Sequence, residues 1–446
     1  MKDHIGLDIG TSSVKGVRLG ADGTILAAEK ESFAYQGAEK RRVELSAEVF
    51  VETCCRLLGR LAQEGAKSEI GAVCAASASG NLLLLDDSYK PMTPIINWQD
   101  GRVGEEARQI LKGICAGEIY ESSGWSFDWH SFPLAQLCWL KYHEPQLLAR
   151  CSMICMSTEY LYFRLTGAWG IGRSAGTPFY LIDQRTGKYN SRLLELLEIP
   201  EDKLPPVRKE GEVLGGVTEE GAALSGLPVG TPLVLGSFDH PAAAVGAGVL
   251  QEGQMLLSCG TSWVGFYPVK DRARIIRCGA LADPFRSPEG CWGAMVSVPS
   301  VPERMKYFIR RYLGDGGEPF ERLLSLAAES EPGAGGLVID LFTEPEGWTD
   351  AQIFCFSKKH IARAVMEGVV RRLQEKMEQL AKEGIRAKEA VMVGGPSESA
   401  LWMEVVSQMT GLKVTPGKGS YTGAVGAACT ASSYNIYNYA EMVQPQ

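Results

Sequence analysis

Two aspartates and two short glycine-led turns carry the chemistry this chain can do. Asp8 ends an apolar run, Gly6-Leu7-Asp8-Ile9, immediately before Gly10-Thr11-Ser12. Asp239 follows Gly236-Ser237-Phe238 and precedes a stretch of small residues from Ala242 to Val249. An aspartate inside an apolar strand is costly if left unpaired. A hydrated Mg²⁺ held through one or two carboxylates removes that cost, and a hydrogen bond from the residue's own turn is the plainer alternative. Asp239 stands where a strand gives way to a helix, which in α/β domains is where ligands bind. It suits a general base that takes a proton from a substrate hydroxyl. It also suits a helix N-cap, and the two roles are compatible.

The turns supply a second kind of group. Gly10-Thr11-Ser12 and Gly260-Thr261-Ser262 each interrupt an apolar run that then resumes, as at the tip of a β-hairpin. Glycine allows close approach of a bulky anion, and the following N–H groups and hydroxyls can donate to phosphate oxygens. Ordinary hairpin chemistry explains either turn alone. Two of them in separate halves, the first with an aspartate in its strand, suggest two lobes holding one polyphosphate. Gly394-Gly395-Pro396 opens a further helix and could seat a nucleotide against its N-terminus, although a double glycine is weak evidence alone. The segment Pro91 to Arg102 places Trp98 beside Asp100 and Arg102. That mixture suits a polyol, with its C–H face on the indole and its hydroxyls on the polar groups. A surface loop with a packed Trp98 fits the residue types equally well.

The surrounding pattern must position these groups. Strands are expected from Ile5 to Ile9, Val14 to Leu19 and Thr24 to Ala28, then a helix from Ala47 to Gln63 and strands from Ile70 to Ala76 and Leu82 to Leu85. Helices are expected over Arg102–Lys112, Leu134–Lys141 and Thr158–Leu165, the last closed by Gly167. The Pro- and Gly-rich region from Pro200 to Gly230 reads as a crossing between lobes. The alternation restarts with a strand from Leu233 to Leu235 and a helix from Ala242. It closes with a long amphipathic helix from Lys359 to Glu383, a strand from Ala390 to Val393 and a helix from Ala400 to Thr410. At 446 residues two domains are the default, here 1–230 and 231–446. Similar mixed lobes indicate α/β domains related by duplication.

Composition sets bounds. A hydrophobic share of 45% with 22% charged residues is that of an ordinary globular chain, and a net charge of −8 argues against a nucleic-acid surface. No apolar run reaches membrane-spanning length, and the first strand starts too early to leave room for a signal peptide. The 12 cysteines are scattered without zinc-ligand spacing, so they read as buried reduced thiols of a cytoplasmic protein.

These segments, in this order, resemble the FGGY family of carbohydrate kinases, of the actin/hexokinase/Hsp70 fold superfamily. Gly6 to Gly16 looks like the family's first phosphate motif, and Leu85-Asp86 through Trp98-Gln99-Asp100-Gly101-Arg102 like its sugar-side signature. Glu159-Tyr160-Leu161 to Gly167 matches a characteristic helix. Ser237-Phe238-Asp239-His240 matches the segment holding the catalytic aspartate, and Cys259-Gly260-Thr261-Ser262 the second phosphate motif. Val393-Gly394-Gly395-Pro396-Ser397-Glu398-Ser399 and Gly423 to Ala428 look like the adenosine region.

The resemblance implies two ribonuclease H-like domains with substrate and ATP in the cleft between them. It makes Asp239 the base, Asp8 the Mg²⁺-side carboxylate, and Thr11 and Thr261 phosphate contacts, with Gly395 and Ser399 against the nucleotide and His240 touching substrate. Relatives often carry a Met-His element where Ser77-Ala78-Ser79-Gly80-Asn81 stands here, which makes Asn81 the best sugar contact in that place. Pro299 replaces a frequent glycine, and Phe342 to Trp348 stands where Gly-Glu-Arg is common. The expected activity is ATP-dependent phosphorylation of a pentulose such as xylulose, with gluconate or a polyol as alternative substrate. A non-catalytic sugar- or nucleotide-binding protein of the same fold is the rival reading. The expected partners are a small sugar or polyol and ATP, with no nucleic acid or membrane; the reading leaves room for a homodimer.

Overall fold

The computed structural model describes residues 2–34, 42–63, 69–287, 289–342, 350–417 and 419–432. They form two compact units. The first comprises residues 1–248, 281–290 and 421–446, and the second residues 249–280 and 291–420.

In the first unit β1 (Asp3–Ile9) and β2 (Ser13–Leu19) form an antiparallel hairpin, with β3 (Ile25–Ser32) beside β2. Helix α1 (Ala47–Gln63) covers this sheet with Phe50, Cys54, Leu57, Leu58 and Leu61, all spaced at helical period and buried. Strand β4 (Ile70–Ser77) pairs in parallel with β1, as a crossover helix permits. Helix α2 (Ser157–Thr166) ends at Gly167 with φ 71°, the left-handed cap expected there. Two further strands, β5 (Val213–Gly216) and β6 (Pro232–Val234), complete the order β5-β6-β4-β1-β2-β3. Helix α3 (Asp239–Gly246) follows β6.

Three expectations differ from the structure. The region from Pro200 to Gly230 is no crossing between lobes, because β5 pairs with β6 and the helix Glu219–Ser225 packs inside the first unit. The division expected at 230/231 also differs from the packing. Strand β6 is zipped to β4, and α3 lies backbone-to-backbone on the helix Thr422–Ala431, so both stay with the first unit. A Cβ on Gly426 would come within 1.8 Å of the Ala242 carbonyl oxygen, and one on Gly246 within 2.1 Å of that of Thr422. Only glycine allows that approach. The expected helix over Arg102–Lys112 shrinks to Glu106–Ile110, because Arg102 is tied to Asp100 by side-chain and backbone bonds.

The second unit repeats the pattern. β7 (Gly253–Cys259) and β8 (Trp263–Val269) form its hairpin, and β9 (Trp292–Val298) lies beside β8. Helix α4 (Lys358–Lys382) buries Ile361, Val365, Val369 and Leu373. β10 (Ala387–Val393) runs parallel to β7, helix α5 (Ala400–Thr410) follows, and β11 (Lys413–Pro416) pairs in parallel with β10. The unit's strands thus lie in the order β9-β8-β7-β10-β11.

Ten of the 12 cysteines are buried as expected, while Cys115 and Cys355 are exposed. Among the described residues no helix is long and apolar enough to cross a membrane.

Candidate active site

In the first unit three adjacent parallel strands, β1, β4 and β6, end at one level. The Ala78 N–H donates to Ile9 O at 2.8 Å, and the Ser77 N–H to Ser237 O at 3.2 Å. This lattice sets Asp8, in register with Lys15 on one side and Ala76 on the other, near Asp239 at the start of α3. Both carboxylates are half-buried. Burial, reinforced by the charge of Asp239 and offset in part by Lys15, pushes Asp8 up to about 7. Burial likewise raises Asp239, against the opposing pull of His240. Two neighbouring acids that resist ionisation together are a common mark of a functional site.

Asp239 is not an N-cap. It is the first residue of α3, Phe238 occupies the cap position without a side-chain bond, and Asp239 Oδ1 accepts from the His240 N–H at 2.7 Å. The His240 ring lies edge-on to Phe238 at 5.6 Å. Gly423, in the first turn of the helix Thr422–Ala431, has no room for a Cβ, which would sit 2.8 Å from the Asp8 carboxyl carbon. The positive end of that helix therefore adjoins Asp8 and favours its ionised form.

Behind Asp239 lies a carboxyl cluster that motif reading did not find. The Ser174 hydroxyl donates to Asp283 at 2.8 Å and accepts from the Phe238 N–H at 3.1 Å. The Ser174 N–H donates to Glu210, and Phe285 N–H to Asp283 Oδ1 at 2.7 Å. Burial pushes Asp283 up to about 7 and raises Glu210. Residues 174, 210 and 283 are far apart in the chain and belong to no common spacing, so only the fold brings them together. Trp125 and Phe238 stack edge to face at 5.3 Å, and the buried Trp125 indole N–H has no partner.

The segment around Trp98 is partly as expected. Trp98 Nε1–H donates to Thr11 Oγ1 at 3.2 Å, tying the indole to the first tip, and its ring stacks on Phe132 at 5.8 Å. Trp98, Thr11, Ser79, Asn81 and Ser157 line one small cavity of ≈ 20 Å³. Asn81 is turned to Ser157, whose N–H donates to Asn81 Oδ1 at 2.7 Å and whose hydroxyl accepts from Asn81 Nδ2 at 3.0 Å. Asp100 and Arg102 are engaged with each other. Arg102 Nε donates to Asp100 at 2.7 Å and the Val43 N–H to its other oxygen at 2.8 Å, while Arg102 also pairs with Glu44. Asp100 is buried at 1% exposure. These two therefore brace the segment at Val43 and Glu44.

In the second unit Gly260, Thr261 and Ser262 form the exposed tip of the β7–β8 hairpin. The Val301 N–H donates to Thr261 O at 3.2 Å, so the turn after Pro299 abuts this tip. Gly394 takes φ 94°, and a Cβ there would meet Cys259 O at 2.4 Å; Gly395 has open space beside it. A short 3₁₀ turn, Gly395–Glu398, precedes α5, and Ser399 caps that helix by accepting from the Trp402 N–H at 3.4 Å. Of the Phe342 to Trp348 departure, residues 343–349 lie outside the described residues.

Comparison with known proteins decides the family. The N-terminal domain of the FGGY family of carbohydrate kinases matches residues 4–246, and its C-terminal domain residues 325–433. The chain belongs to the FGGY family of carbohydrate kinases. This FGGY kinase is a phosphotransferase acting on an alcohol group. It is 25% identical to "Xylulose kinase" of Escherichia coli strain K12 over 445 residues, covering 95% of this chain and 88% of that protein. It is 28% identical to the "L-xylulose/3-keto-L-gulonate kinase" of the same strain, covering 85% and 77%. Among solved structures, xylulose kinase from Rhodospirillum rubrum superposes with a TM-score of 0.89 at 24% identity, covering 99% of this chain and 92% of that one. Gluconate kinase from Lactobacillus acidophilus gives 0.87 at 19% identity, covering 100% and 92%. Those two likenesses concern the fold, which is the expected mixed α/β kinase fold.

Proposed function

We infer that this FGGY kinase transfers the γ-phosphoryl group of ATP to a hydroxyl of a pentulose of the xylulose type, with Asp239 as general base. The observation that carries the reading is the placement of Asp239 and Asp8 at neighbouring strand ends, each holding its proton more tightly than an ordinary carboxyl. A base whose pKa lies nearer neutrality accepts a hydroxyl proton more readily. His240 and the unpaired Trp125 N–H border the acceptor sugar. Asn81 contributes through the one amide hydrogen that Ser157 does not use; Trp98 gives an apolar face. The tips supply phosphate donors through Gly10, Thr11 and Ser12 in one unit and Gly260 and Thr261 in the other, with Gly394, Gly395 and Ser399 on the nucleotide.

Mg²⁺ fits this donor set. Asp8 is destabilised as an anion by burial and by Asp239, and a cation there would relieve both. Bound there, it would neutralise charge on the phosphates.

The relatives' names favour a pentulose over gluconate or a polyol. ADP formation over a panel of pentuloses, polyols and aldonates tests this. Turnover highest with a pentulose is expected; turnover only with aldonates would reassign the substrate. Bound ATP with no ADP from any acceptor would leave the rival reading of a non-catalytic binding protein.

A further inference from the structure

Asp239 stands where the peptide before it puts it. The Phe238 carbonyl accepts from the Ala242 N–H at 3.1 Å and so opens α3, and residue 238 bridges to Ser77 at the end of β4. On the side facing away from β4, Leu235 is held by main chain. Its N–H donates to Glu212 O at 3.0 Å, and its carbonyl accepts from the Gly211 N–H at 2.8 Å. Three residues later a side chain takes over: the Phe238 N–H donates to the Ser174 hydroxyl at 3.1 Å. Phe238 occupies the cap position of α3 and has no polar side chain to close it. The helix start is therefore held from outside, by Ser174.

A hydroxyl has one proton to give and lone pairs with which to receive. Ser174 gives its proton to Asp283, at 2.8 Å from one carboxyl oxygen and 3.0 Å from the other, which leaves the lone pairs for Phe238. Ser174 is itself fixed along the backbone. Its N–H donates to Glu210, and its carbonyl accepts from the Thr177 N–H at 3.0 Å. Gly172, two residues earlier, lies so close to the chain before Phe238 that a Cβ on it would come 2.8 Å from the Gly236 carbonyl oxygen. The loop 283–287 grips both neighbours, since Arg173 donates to Ser287 O at 2.6 Å while Asp283 takes the Ser174 proton. Ser174 and Asp283 are fully buried, so no solvent stands by to replace a lost partner, and a buried N–H left unpaired is costly.

We propose that Ser174 is a positioning residue for phosphoryl transfer: it ties the Phe238 peptide to Asp283 and so fixes the point from which Asp239, read as the general base under the proposed function, reaches the acceptor hydroxyl. A base works only within hydrogen-bond reach of the proton it takes. Ser174 touches neither sugar nor nucleotide in this role; it acts through the backbone one residue before Asp239.

Ser174→Ala removes the hydroxyl with little change of volume. Steady-state kinetics of the full chain with ATP and the faster-reacting xylulose enantiomer should show kcat lower by at least about tenfold, towards the roughly 10² that a misplacement of about 1 Å costs. The KM for the sugar should move by no more than about threefold, because the lost bond acts on the base and not on binding. The same change is then made in Asp239→Asn. There it should lower the residual turnover by no more than about twofold, since a residue that acts only through Asp239 has nothing left to place. A general loss of structure would lower both backgrounds alike. Should Ser174→Ala fail to fold, Ser174→Cys replaces it, nearly isosteric and with a sulfur that accepts only weakly; at least about a fivefold loss of kcat is expected. Parental kcat in the folded variant overturns the role of Ser174, as does an equal loss in both backgrounds, and either result leaves Asp239 as the base if Asp239→Asn alone has lost turnover. Near-normal kcat in Asp239→Asn alone overturns the base and this role together, so the two failures are told apart.

Discussion

Each unit builds a Gly-Thr-Ser tip on an antiparallel hairpin flanked by parallel strands, yet the strands leading into the two tips differ in one respect. Two residues before Gly10 stands Asp8; two residues before Gly260 stands Ser258. The strand ends beside the first tip add Asp239, with Ser174, Glu210 and Asp283 behind it. The parallel neighbour of the second tip ends instead in Gly394 and Gly395, with no carboxylate beside the turn until Glu398. One scaffold therefore carries acid–base groups in the first copy and neutral donors with open backbone in the second. On the proposed function the difference would separate proton handling from anion binding, and it can be tested one residue at a time.

The largest effect is expected from Asp239→Asn. Removing a general base costs 10² to 10⁴ in turnover, so kcat should fall by at least about 10² while sugar affinity changes little. Isothermal titration beside steady-state kinetics checks both, and near-normal kcat would end the assignment of Asp239. Asp8→Asn should follow, with turnover lost mainly at limiting Mg²⁺ and partly restored when Mg²⁺ is raised. The matching change in the other strand, Ser258→Ala, should shift kcat by no more than a few-fold. Equal losses from the two would dissolve the contrast between the tips.

Packing offers a further comparison. Gly426→Val puts a side chain where a Cβ already meets Ala242 O at 1.8 Å. Overpacking of this kind costs about 1–3 kcal/mol or more, and the backbone cannot yield without parting α3 from the helix Thr422–Ala431. Thermal unfolding should therefore fall by several degrees, and Asp239, which starts α3, should lose activity with it. Gly395→Ala has open space around the new methyl, so its melting temperature should be nearly unchanged and only the KM for nucleotide should move.

Much of this was legible from residue order. The helix Ala47–Gln63 and the helix Ala400–Thr410 have the bounds their apolar spacing indicates, and both hairpins and Asp239 lie where the alternation of apolar runs and turns places them. The small-residue helix after Asp239 was readable as a close-packing surface, though its partner, some 180 residues later, was not. What escaped was set mostly by long-range pairing. Asp100 and Arg102 have the residue types of a sugar site, and the fold also sets them against residues 43 and 44, nearly sixty positions earlier. Ser174, Glu210 and Asp283 share no periodicity, because sheet and loop contacts alone gather them. The span from Pro200 to Gly230 has linker composition but supplies an edge strand, since β5 needs only four residues to pair with β6.

The smallest effect concerns that carboxyl cluster and pH. Asp283 is held at about 7 by burial, above its unfolded value near 3.8. For a carboxyl raised in the folded state, the folded protein binds the extra proton, so stability is greatest below the unfolded value and declines as pH rises from about 4 towards 7. Asp283→Asn keeps the hydrogen-bonding shape beside Ser174 but cannot titrate. Its melting temperature should fall less than that of the parent between pH 5 and pH 8, while an asparagine introduced at exposed Glu398 of the second unit should leave that slope alone. The Asp239-dependent acid limb of kcat should stay in place in the same Asp283→Asn protein, because the Asp239 charge raises Asp283 and not the reverse. A limb moved to lower pH would mean that Asp283 also tunes the proton of Asp239.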